Sequence, residues 1–72
     1  MSEKLTIAQA KRQVDLIREL ADDDEVAHAR EDDLREVFIA GLADGRYSKR
    51  EATAIARVVM ETEDINFARW CG

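Results

Sequence analysis

Three groups of residues in this chain have types and spacings that suggest chemistry. His28, with Glu25, Glu31 and Asp32 within a turn of it, suggests a metal. Transition-metal sites draw His or Cys ligands from several elements, however, and this is the only histidine, so no metal is expected and His28 reads as a solvated side chain on an acidic face. Cys71 and Ser48 are candidate nucleophiles. Nothing fixes His28 beside Cys71 as a base, and Ser48 stands where a helix cap is needed. There is no phosphate-cradling glycine loop and no zinc motif, so neither catalysis nor a cofactor is expected.

Asp44-Gly45-Arg46-Tyr47-Ser48-Lys49-Arg50-Glu51 carries the third possibility. Over residues 40–51 it resembles the second half of an EF-hand loop, with Gly45 at the central glycine, Ser48 at a water-mediated ligand position and Glu51 at the bidentate carboxylate. That alignment puts Ala40 and Leu42 where the first two oxygen ligands belong. Calcium takes about six or more oxygens, which such a loop does not supply. The same letters are explained by a glycine that stops one helix and a Ser48/Glu51 capping box that starts the next. TerB-like domains carry a similar helix–Asp-Gly–helix turn, in longer chains.

Charge supplies two binding hypotheses. Residues 1–36 hold eleven acidic and six basic side chains, and residues 37–72 hold five of each. Glu25, Asp32 and Glu36 fall on one face of a helix, with Asp22 and Asp33 beside it, and such a stripe suits a basic surface on another protein. Arg46, Lys49, Arg50 and Arg57 surround the glycine turn and would be the contacts of a helix-turn-helix DNA-binding regulator, although the acidic total opposes a bound duplex. Attraction between the two segments is a simpler use for both. Phe67, Arg69 and Trp70 add an aromatic and cationic anchor of the kind found at interface hot spots.

These residues need helices to position them. With no proline and three glycines among 72 residues, the chain reads as one small all-α domain, a compact bundle of three to four helices with a helical hairpin in its second half. The Thr6/Gln9 capping pattern opens a helix from about 6 to 21 that turns Ile7, Ala10, Val14, Ile17 and Ala21 inward. Four acids from Asp22 to Glu25 suit the positive start of a second helix and place a break near Asp22 and Asp23, although nothing forbids one continuous helix from 6 to 43. The second helix, 24–43, is expected to bury Ala27, Leu34, Val37, Phe38, Gly41 and Leu42 and to pair Glu31 with Arg35. A third, 49–61, buries Ala52, Ile55, Ala56 and Val59, with Tyr47 stapling its start against Ala52. Thr62 then reads as the cap of a last short helix carrying Ile65, Phe67, Ala68, Trp70 and Cys71.

A chain this short hides only about 60% of its unfolded surface, so a deep cleft is not expected and a homodimer, through Ile7, Val14 and Ile17, would enlarge the core. No apolar run approaches the ~20 residues of a membrane span, and the amino terminus lacks a signal-peptide core, which points to the cytoplasm. By elimination the chain is expected to be a non-catalytic protein-binding module, a regulator, adaptor or inhibitor of the sort common among bacterial and phage accessory proteins.

Overall fold

The computed structural model describes residues 5–67 and is all-α. Three helices follow in order: α1 (Ile7–Glu19), α2 (Asp24–Ala43) and α3 (Lys49–Met60), the last continuing into a one-turn 3-10 helix, Glu61–Asp64. Each start is fixed by a side chain that accepts an otherwise orphan backbone N–H. Gln9 N–H donates to Thr6 Oγ1 (3.1 Å) while Thr6 N–H donates to Gln9 Oε1 (3.0 Å). At α3, Glu51 N–H donates to Ser48 Oγ (3.1 Å) and Ser48 N–H to Glu51 Oε1 (3.2 Å). Between α1 and α2 the break falls at Asp23, whose carboxylate accepts from Val26 N–H (3.2 Å), with Asp24 and Glu25 in the positive first turn.

The end of α2 is set by Gly45, whose φ of 67° is a left-handed conformation that an L side chain would strain. Gly45 N–H reaches Leu42 O (3.0 Å) and Arg46 N–H reaches Gly41 O (3.1 Å), the paired bonds of a Schellman stop. The chain turns through Arg46 and Tyr47 directly into the Ser48 cap.

α1 packs against both α2 and α3, burying Ala10, Val14 and Ile17. α2 contributes Ala27, Leu34 and Phe38, and α3 Ile55, Val58 and Val59. Leu5 at one end and Ile65 and Phe67 at the other complete the core. A polar clasp joins α2 to the 3-10 turn, where Arg35 Nη2 donates to Thr62 Oγ1 (3.4 Å) and lies 3.9 Å from both Glu31 Oε2 and Glu63 Oε1.

Several expectations are corrected. Val37 and Leu42 are exposed, because they stand about 60° and 80° to either side of Leu34 at 100° per residue, and the shorter α1 and α3 cover only the strip between. Glu31 is buried on that flank beside Arg35. Thr62 caps no new helix: Met60 and Glu61 keep helical backbone angles, so α3 tightens without a break, and Thr62 is wholly buried with its hydroxyl donating to Val59 O (3.0 Å). Ile65, Asn66 and Phe67 are not helical, so no fourth α-helix forms among the described residues, and Ala68, Trp70 and Cys71 lie outside them. Finally, Tyr47 is engaged by α2: its ring lies 5.7 Å from that of Phe38 and over Gly41.

Candidate functional site

The outward side of α2 gathers most of what could meet another molecule. Glu25, Asp32 and Glu36 are all exposed, and at 100° per residue all three lie within about 20° of the direction opposite Leu34, the pole of the helix farthest from the core. Asp32 has His28 Nε2 at 3.7 Å, an ion pair only when the imidazole is protonated, whereas Glu25 and Glu36 make no ion pair among the described residues. Exposed apolar side chains lie on both flanks of the helix, Ile39 alone directly beside the stripe. Ile39, 60% exposed, and Leu42 lie on the flank shared with Arg35, and Val26 and Val37 lie on the other. Four of the six large apolar side chains exposed in the described chain therefore belong to α2.

Beside the stripe runs a groove of about 400 Å³ that sequence reasoning did not find. Asp33, Glu36, Val37, Ala40, Gly41 and Asp44 follow one another at spacings of one helical face, and Arg46 and Tyr47 close it from the turn. Tyr47 Oη accepts a hydrogen bond from Leu5 N–H (3.1 Å), which pins the ring across 42 residues of sequence. Gly41 makes room for it, because a Cβ there would sit 2.5 Å from Tyr47 Cε2. A glycine in the last turn of a helix, six residues before an aromatic, was the one local signal available.

The four basic residues separate. Arg46 turns to Asp44, Nε to Oδ2 at 3.5 Å, and lines the groove. Lys49, Arg50 and Arg57 line an open trough on the outer side of α3 with Thr53 and Ala54, and none of the three is in an ion pair among the described residues. Among the described residues, then, no ion pair joins the acidic stripe to Lys49, Arg50 or Arg57. Arg18 pairs with Asp15 and Glu61, and Arg35 with Glu31 and Glu63.

Of the aromatic anchor, Phe67 is 8% exposed and belongs to the core, so its ring is covered within the chain, and Arg69 and Trp70 lie outside the described residues. Val14 and Ile17 are buried likewise, which leaves α1 only Ile7 for the dimer contact expected of it. The residues around His28 diverge, Glu31 turning inward and Glu25 outward, and no group of three or more His, Cys, Asp or Glu is arranged to hold a metal among the described residues. Ser48 Oγ is engaged as a cap. No helix among the described residues is long and apolar enough to cross a membrane.

No family model matches the chain, and neither a curated protein nor a solved structure is similar to it. The functional reading rests on geometry.

Proposed function

We propose that this chain is a non-catalytic protein-binding module that docks the outward face of α2 onto a basic surface of a partner protein, as a regulator, adaptor or inhibitor. The observation that carries this reading is the combination on one helix of an acidic stripe, Glu25, Asp32 and Glu36, with exposed Ile39 beside it and exposed Leu42 and Val37 farther round on the two flanks. Charge on such a surface steers and selects a partner, and the apolar flanks supply burial that slows dissociation. The test is capture of partners by the tagged protein from a lysate of its native host, eluted in steps of rising salt, in parallel with the variant Glu25→Lys/Asp32→Lys/Glu36→Lys. A stoichiometric protein held by the native chain and released by the triple reversal is expected. Equal retention, with an unchanged salt profile, would sink the proposal.

One observation favours a second reading, DNA binding through the hairpin of α2 and α3. Lys49 and Arg50 occupy the first turn of α3, where the helix macrodipole disfavours cations, and share their trough with Arg57. Stability alone does not account for that placement. Electrophoretic shifts of duplex DNA abolished by Arg50→Ala/Arg57→Ala are its expected signature, and shifts indifferent to both substitutions exclude it.

A further inference from the structure

The groove beside the acidic stripe has the chemistry of a receptor for one particular side chain. Its floor and wall are apolar, formed by Val37, Ala40, Gly41 and the ring of Tyr47, and its rim carries the carboxylates of Asp33 and Glu36. Neither carboxylate is in an ion pair among the described residues. The third rim acid, Asp44, already holds a guanidinium, that of Arg46. Asp33 and Glu36 stand three residues apart on one helix face, and Val37 lies one turn on from Asp33 and next to Glu36, so a cation resting above Val37 meets both carboxylates.

Two features make the groove preformed. The Tyr47 ring is clamped between the hydrogen bond from Leu5 N–H and its contact with Phe38, and the missing side chain at Gly41 keeps it against the helix. A pinned aromatic ring at one end of an apolar floor and two carboxylates at the other suit an arginine, because its methylenes cover the floor and its planar fork of donors spans two carboxylates. Lysine offers a point charge without the fork. We infer that this groove receives an arginine side chain from the partner's basic surface; the inference rests on the reading of α2 as a protein-binding face and names the chemistry that face selects.

The experiment is an amide NMR titration of the full chain with an acetylated, amidated Gly-Arg-Gly tripeptide, up to roughly 20 mM, the range for a single weakly held side chain. The control is the same peptide with citrulline, which keeps the shape and removes the charge. Saturable shifts centred on Val37, Ala40, Gly41 and Tyr47 are expected, with citrulline at least about fivefold weaker. They should be lost in Ala40→Phe, which fills the groove from an exposed position, and in the near-isosteric Asp33→Asn/Glu36→Gln. No saturable shift, or an equal response to citrulline, overturns the inference. Its failure is separable from that of the proposed function. A captured partner released by Glu25→Lys/Asp32→Lys, which lies outside the groove, but held as well by Ala40→Phe as by the native chain leaves the face standing and removes the groove. A partner indifferent to Glu25→Lys/Asp32→Lys and lost with Ala40→Phe does the reverse.

Discussion

Gly41 and Tyr47 show how one atom's absence positions a side chain far away in sequence. Alanine at 41 gains about 1 kcal/mol of helix propensity, yet its Cβ would meet Tyr47 Cε2 at 2.5 Å and Oη at 2.9 Å. The ring has little freedom to yield, being held by Leu5 N–H and packed on Phe38. Gly41→Ala is therefore expected to destabilise the fold by about 1–3 kcal/mol net, read as a lower urea midpoint with unchanged slope. An unchanged or higher midpoint would mean that the ring is not pinned. Tyr47→Phe keeps the ring and leaves Leu5 N–H without this acceptor, at an expected cost of about 0.5–1.5 kcal/mol by the same measurement. Local spacing carried only the glycine six residues before the aromatic. Tyr47 beside Ala52 has the pattern of a helix staple, and only the return of Leu5 across the end of α2 assigns the ring to a wall. Arg35 was legible only in part: its turn-away pairing with Glu31 follows from the i,i+4 rule, whereas the burial of Glu31 depends on Thr62 arriving from another element.

Helix starts were legible because each is written in one side chain and its partner three residues on. Thr6 with Gln9 and Ser48 with Glu51 each form the expected hydrogen bond, and α2, whose Asp23 cap was not foreseen, runs over the residues that its acids and Gly45 delimit. Thr62 failed the same rule for a physical reason. A capping side chain acts only where the preceding backbone has left the helix, and here α3 runs on through Glu61, so a threonine followed by two acids is a buried link and not a start. Substitution separates the two roles. Ser48→Ala is expected to cost about 1 kcal/mol and to raise amide exchange in the first turn of α3, and Ser48→Asp should recover most of the loss, since aspartate caps as well as serine. Recovery absent with aspartate would mean that the hydroxyl serves something other than the cap. Gly45→Ala should cost a further ~1–2 kcal/mol, because the Schellman stop holds residue 45 at positive φ. The exposure of Val37 and Leu42 was missed for want of one fact that no single helix contains: how much of α2 its two shorter neighbours cover.

Across the whole molecule, charge is arranged as if the fold did not need it. The acids of α2 stand at its outer pole and the trough cations of α3 on another surface, while the ion pairs that cross between elements, such as Arg18 with Glu61, involve other residues. Exposed pairs of this kind are worth about 0–1 kcal/mol, so the core and the caps must supply the stability. If the stripe exists for a partner, removing it should leave the fold nearly untouched, one position excepted. Glu25 lies in the first turn of α2, where a negative charge opposes the exposed N–H dipoles. Glu25→Lys should therefore cost about 0.3–1 kcal/mol at low salt, a loss that shrinks as salt is added. Asp32→Lys and Glu36→Lys, mid-helix and exposed, should each change stability by less than about 0.5 kcal/mol. The triple reversal moves the formal net charge from −5 to +1, two units per substitution, and should unfold within about 2 kcal/mol of the native chain. Urea midpoints at low and high salt measure all four. A triple variant that unfolds far more easily would show that the stripe serves the fold, and its loss of a partner would then say nothing of docking. One that folds as the native chain does makes any lost partner attributable to the surface of α2 itself.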